Sequence, residues 1–236
     1  MTEPEVKSDQ QAIWDYHQGE GVSSFDGAES RLRSLARSVV GKENVLNIGI
    51  GNGFFEAEAE AQRCGVKVFA LDPSERAVES LRSRLKLDDR AKVGYAQQMP
   101  FADSQFSAVV ASEVLEHLND QDLVATLREV YRVLKPGGLF LGTVPAREQL
   151  ADQTIVCPCC EKQFHRWGHH QSFSTARVRS ILEDRFHVES VFEQYFAPWN
   201  ILNLKGRLIC FLKLALLKLG IHGSDEKIVF RATKLG

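Results

Sequence analysis

Val45-Leu46-Asn47-Ile48-Gly49-Ile50-Gly51-Asn52-Gly53-Phe54-Phe55 is the stretch whose reading decides the fold. Four apolar residues among Val45 to Ile50 read as a short buried strand that breaks into glycines at alternate positions. Phe54 to Cys64 is then rich in Glu and Ala, a helix-forming composition. Strand, glycine turn and helix together build a nucleotide pocket. Glycine lets the backbone turn tightly and lets a ligand approach, because no Cβ stands in the way. A dinucleotide fingerprint would need its third glycine at position 54, where Phe54 stands, so the spacing disfavours NAD. No Lys-Ser or Lys-Thr follows the turn, which argues against a triphosphate loop.

Nineteen residues beyond Gly53, the strand Val66–Leu71 ends at Asp72. A carboxylate there can accept both hydroxyls of a ribose. The competing reading has Asp72 capping a helix over Ser74–Leu87, with the glycines making only a turn. The order strand, glycines, helix, strand, acid favours the pocket.

Four motifs in order carry a family resemblance: VLNIGIGNG, LDPS, MPFADSQFSAVVASEVLEHL and VYRVLKPGGLFLGTVP. The chain resembles the class I S-adenosylmethionine-dependent methyltransferases, and most of all the small-molecule branch that includes quinone and polyketide methyltransferases. The likeness is strong over about residues 40–145 and loose over 172–233. It implies an α/β, Rossmann-like sheet of seven strands, mostly parallel with the last antiparallel, and helices on both faces. It also implies S-adenosylmethionine as cofactor, held by Asn47, Gly49, Gly51, Gly53, Asp72, Pro73, Ala96, Gln97, Ser112 and Glu113. Two positions depart from the family pattern. Asn47 stands where Asp is usual, and Tyr95-Ala96-Gln97 stands where an acid usually meets the adenine amine; Asn47 and Gln97 keep the capacity to hydrogen-bond.

The chain has 236 residues, 44% apolar and 25% charged, which suits one large soluble α/β domain. We divide it into an N-terminal helical segment (1–40) and a methyltransferase domain (41–236). A net charge of −2 gives no reason to expect nucleic acid. The polar, acidic start MTEPEVKSDQ predicts neither a signal nor a transit peptide, and no apolar run is long enough to span a membrane. Three of five cysteines fall within 157–160, which reads as reduced thiols in a cytoplasmic setting. The aromatics Trp14, Tyr16 and His17 lie among flexible residues, and either fold over the cofactor, as in the family, or form a short helix on the sheet edge.

Phe106–Ala111 predicts a buried strand, so Ser112 to Leu118 borders the crevice beyond its carboxyl end. His117 has the ordinary pKa of a general base. The favoured alternative is that His117 or Glu116 orders the loop, since methyl transfer from a sulfonium needs little beyond alignment. Helices are expected over 29–40, 121–134 and 174–185, and strands over 92–95, 139–144, 188–195 and 227–233.

Two further segments stand out. An insertion at 151–172 holds Cys157, Cys160, His165 and His169; the Cys pair has knuckle spacing and the His pair is i, i+4, which predicts a closed, structural zinc site. His170 could replace His169, and the alternative is reduced cysteines in a loop with the histidines facing substrate. A basic apolar helix is expected within 201–221. Gln194 to Ser224 contains no acid, and Leu208, Leu212, Leu216 and Leu219 share a helical face. That face predicts an anchor at the inner membrane surface, a contact within the protein, or a homodimer contact.

The functional expectation is methyl transfer to an O, N or C nucleophile of a small or lipid-linked molecule. The alternative is a catalytically silent cofactor-binding module that uses the insertion to hold a partner.

Overall fold

The computed structural model describes residues 27–62, 65–199, 202–223 and 225–236. The expectations for Trp14, Tyr16 and His17, and for most of the segment 1–40, lie outside them.

Seven strands form one sheet: β1 (Asn44–Ile48), β2 (Lys67–Asp72), β3 (Ala91–Val93), β4 (Phe106–Ser112), β5 (Leu134–Pro145), β8 (Phe186–Gln194) and β9 (Lys227–Lys234). Their order is β3-β2-β1-β4-β5-β9-β8. β9 runs antiparallel to both neighbours, and the pairings among β1 to β5 are parallel. This is the expected sheet. Chain order reverses direction at β1 and β4, and that switch point places a crevice beyond their carboxyl ends.

The strands alternate which face they serve. Val45, Ala108 and Val110 join Leu35 and Ala36 of α1 (Glu29–Ser38) and Phe55 and Ala59 of α2 (Phe54–Ala61). Leu46, Val109 and Phe140 face the other way, onto α4 (Asp120–Val133) and α5 (Thr175–Glu183). Because helices cover both faces, central strands read as continuous apolar runs. Between β2 and β3 lies α3 (Glu75–Leu85), with Ser74 as its N-cap accepting from the Ala77 N–H.

Most element ends differ from expectation by one to three residues for local reasons; β5 differs more, beginning at Leu134 where the strand is expected from 139. α2 stops at Ala61 because Gln62 is already extended. β3 stops at Val93 because Tyr95 bridges Gln98 in a local turn. α5 starts after Ser174, whose side chain accepts from the Arg177 N–H, a capping bond that fixes where the helix begins.

The insertion forms a short hairpin, β6 (Thr154–Val156) and β7 (Gln163–His165). The basic apolar helix is α6 (Leu204–Lys218), capped by Asn203. Its buried anchor is Cys210, against the Tyr195 hydroxyl at 3.3 Å. Leu208 and Leu212 of the predicted face are 70% and 60% exposed, so among the described residues that face is not covered by the protein itself. No helix among the described residues is long and apolar enough to cross a membrane.

Candidate active site

The glycine turn is built by backbone that only glycine adopts easily. Gly49, Gly51 and Gly53 have φ of 82°, 55° and 76°. A Cβ on Gly49 would stand 2.9 Å from Val114 Cγ2, and one on Gly53 would stand 2.7 Å from Leu81 Cδ1. Asn47 lies at the base of the turn, buried, and its amide donates to the Gly49 carbonyl (3.0 Å) and to Glu56 Oε1 (2.7 Å). An aspartate there would set two carboxylates against each other, which gives a reason for the Asn in this chain. Glu56 is fully buried, and burial pushes its carboxyl up to about 7 despite the Asn47 hydrogen bond.

Asp72 is buried beside the same turn. Its Oδ2 accepts the Ile50 N–H at 2.8 Å and its Oδ1 accepts the Ser74 N–H at 2.9 Å. Its carboxylate thus ties the glycine turn to the start of α3.

Past β4 the chain enters a loop whose carboxylates are in different surroundings. Glu113 adopts a left-handed φ of 56°, a strained conformation for a non-glycine residue. Burial works against its charge, but Arg31 at 3.6 Å and Lys227 at 2.5 Å more than offset this and hold its carboxyl below the usual range. Glu116 is 0% exposed, and neither of its oxygens meets a hydrogen-bond partner. Burial, then the charge of Glu113, push it well above the usual carboxylate range.

His117 follows, with Nδ1 3.3 Å from the Gly168 carbonyl. Burial, then the adjoining His169, drive its pKa down to about 3. A general base works best with a pKa near the working pH, so His117 is a neutral, loop-ordering ring rather than a strong base.

The insertion folds back onto this loop. The N–H groups of His170 and Gln171 donate to the Glu116 carbonyl at 2.8 and 3.1 Å, and Gln171 Nε2 donates to Leu118 O. His169 then packs edge-on to His117 with ring centroids 4.7 Å apart, and stacks on His165 at 4.6 Å. Glu148 meets His169 Nδ1 at 2.6 Å and His165 Nε2 at 3.5 Å.

The expected zinc set does not assemble. Cys157 and Cys160 sit at the hairpin turn, where Cys157 N–H donates to Lys162 O, whereas His165 pairs with Thr154 at the hairpin's other end. The strands between them hold the two pairs apart, and the side chain of His165 is buried toward Glu148 while Cys160 is exposed. Among the described residues, no cluster of three or more candidate ligands contains a cysteine.

A cavity of about 1020 Å³ joins the glycine turn to this loop and the insertion. Of the residues the sequence singled out, Asn47, Gly49, Gly51, Ser112, Glu113, His117 and His169 line it. Gly53, Asp72, Pro73, Ala96, Gln97 and His165 do not, and Cys157 and Cys160 stay at the hairpin turn. The structure adds Arg31, Arg147, Glu148, Trp167 and Lys227, which carry no motif. Arg31 falls within the helix expected over 29–40 and Lys227 begins the strand expected over 227–233; only the fold turns them toward Glu113.

Comparisons with known proteins agree with this geometry. Residues 46–142 match the model of a family described as a methyltransferase domain. YrhH of Bacillus subtilis is 30% identical over 144 residues, which are 59% of this chain and 75% of that protein. The sarcosine/dimethylglycine N-methyltransferase of Halorhodospira halochloris is 30% identical over 171 residues, 70% of this chain and 58% of that one. The chain spans about half the length of the curated relatives it matches first, between 46% and 58%. The 1,6-didemethyltoxoflavin-N1-methyltransferase of Burkholderia thailandensis, solved with 1,6-didemethyltoxoflavin and S-adenosylhomocysteine, shares the fold. It has a TM-score of 0.64 and 16% identity, over 96% of this chain and 86% of that one.

Proposed function

Because the chain belongs to the class I S-adenosylmethionine-dependent methyltransferase family, we propose that it moves a methyl group from that cofactor to an O, N or C nucleophile of a small molecule. The observation that carries this reading is the single cavity shared by the glycine turn and the loop after β4. Its glycine end fits the methionine part of the cofactor: Gly49 and Gly51 line it with no Cβ in the way, and Glu113 lines the same cavity. S-adenosylmethionine supplies, when bound, an electrophilic methyl on a sulfonium that leaves as a neutral thioether.

The residues of this chain bind, orient and exclude water. Arg31 and Lys227 keep Glu113 ionised beside the cavity, so that it can accept from a cationic amino group. Asn47 and Glu56 hold the turn in shape from beneath. His117 orders the loop through Gly168 O, and Trp167 gives the far end of the cavity an aromatic wall. Catalysis on this account rests on alignment, which alone can supply a large part of the barrier reduction.

The test is formation of S-adenosylhomocysteine by the purified chain across a panel of hydroxyl, amine and activated-carbon acceptors, read by mass spectrometry. Turnover with one acceptor class is the expected result. Binding of cofactor with no turnover on any acceptor would favour the silent-module reading instead.

A second reading concerns where the acceptor is met. The exposed leucines of α6 beside Arg207 support an acceptor that is lipid-linked or drawn from a membrane surface.

A further inference from the structure

We propose that Glu116, His117 and His169 form a binding site for one divalent transition-metal ion at the edge of the cavity. The argument is geometric. One donor atom from each of the three lies within 4.8 Å of the others, so small rotations close them around one ion, with ligand bonds of about 2.0–2.2 Å. Two imidazoles and one carboxylate make a three-ligand set of the kind that leaves coordination positions open.

Hydrogen bonds fix which ring nitrogen carries the proton. A carbonyl only accepts, so His117 Nδ1, facing Gly168 O, carries that ring's proton. His169 Nδ1 faces the Glu148 carboxylate at 2.6 Å and carries its proton likewise. In both neutral rings the lone pair is therefore on Nε2. A carboxylate or carbonyl behind the ligating ring is how metal-binding histidines are usually held.

The third ligand supplies the independent observation. The Glu116 side chain is wholly buried and both its oxygens lack partners, an arrangement that costs stability unless something else satisfies them. An ion between it and the two rings would do so.

The neighbouring set Glu148, His165 and His169 also has three donors within reach, but its hydrogen bonds argue against it. His165 Nδ1 accepts the N–H groups of Trp167 and His169. The proton of its neutral ring is thus on Nε2, which lies 3.5 Å from Glu148 Oε1 without a hydrogen bond and offers an ion no lone pair. Glu148 steadies His169 through the 2.6 Å hydrogen bond. His117 and His169 also line the cavity, so the open positions of the ion would meet an oxygen or nitrogen donor of the acceptor; this last clause rests on the methyl-transfer reading.

The test uses the full chain freed of metal by chelator. Co²⁺ titration is followed by ligand-field absorption, and a Cu²⁺ sample is examined by pulsed EPR, which counts coordinated imidazoles. About one ion per chain with two imidazoles is expected. Glu116→Gln and His169→Ala should weaken binding at least a hundredfold, and Glu148→Gln roughly ten- to a hundredfold. Cys157→Ser and Cys160→Ser should change nothing. The proposal is overturned if the parent binds no ion, if fewer than two imidazoles are counted, or if the site survives His169→Ala and disappears with Cys157→Ser. The imidazole count on the parent stands even where a variant fails to fold. Cofactor binding is measured on the same samples without metal, so failure of the metal site and failure of the methyl-transfer reading give different results.

Discussion

Asp72, the last residue of β2, and Glu116, four residues past the end of β4, are both buried carboxylates at the carboxyl ends of the two parallel strands that flank β1, yet their surroundings are opposite. Asp72 has each oxygen bonded to a backbone N–H, of Ile50 and of Ser74. Glu116 has neither oxygen bonded. The first is the economy of a structural joint: a charge is buried where main-chain donors at a turn and a helix start need an acceptor. The second has no such compensation within the fold. That difference separates the glycine turn, which holds its own shape, from the loop after β4, where a bound ion would supply the missing partners.

Removing the satisfied carboxylate should therefore have the largest effect. Asp72→Ala orphans two buried N–H groups, at about 3–5 kcal/mol in total, and should lower the melting temperature by roughly 10 °C. A melting temperature within two or three degrees of the parent would mean that Asp72 is not the joint described.

Glu56 gives the next effect, read through pH. Its carboxyl releases its proton near 7 in the fold against 4.5 for an ordinary glutamate side chain. The folded chain therefore holds a proton that the unfolded chain has lost. Stability is full below about pH 4.5, falls as pH rises toward 7, and is level above, by about 3 kcal/mol in all. Glu56→Gln should flatten that decline in denaturant titrations between pH 4.5 and 7.5. An unchanged slope would remove Glu56 as its source.

Glu116→Gln should behave oppositely to Asp72→Ala. With chelator present it removes a buried carboxylate that lacks partners, and the chain should become more stable by about 1–2 kcal/mol. With excess Co²⁺ the order should reverse, because only the parent gains binding energy. Destabilisation in both conditions would erase the contrast with Asp72.

The smallest effect belongs to α6. Lys213 is already paired with Asp225 at 2.7 Å, which leaves Arg207 as the better candidate for an anionic surface. Arg207→Gln should weaken binding to anionic liposomes about fivefold, or about 1 kcal/mol, without altering the melting temperature. Parent protein that binds no liposome at all would assign the leucine face to another protein surface.

The sheet was legible in the sequence because its strands are short apolar runs between glycine turns and helix caps, all local signals. Gly49, Gly51 and Ser112 were found the same way, since a tight turn or a strand end marks them. Ala96 and Gln97 were carried over by position, and here they lie in a turn closed by the Tyr95–Gln98 bridge, away from the cavity. The zinc set failed because residue spacing says nothing about which end of a hairpin a side chain occupies. Glu56, Arg31 and Lys227 were missed because pairings across 9 residues (Asn47–Glu56) or between α1, the loop after β4 and β9 leave no pattern in the chain.

The most direct test of the central claim is titration calorimetry with S-adenosylhomocysteine on the parent and on Gly51→Val, whose folding is checked by melting. Gly51 lines the cavity at the glycine turn, where a Val side chain would occupy the space assigned to the methionine part of the ligand. The account predicts one binding site per chain in the parent and at least a hundredfold loss, about 2.7 kcal/mol, in a folded Gly51→Val. No binding by the parent, or equal binding by the two, would contradict it.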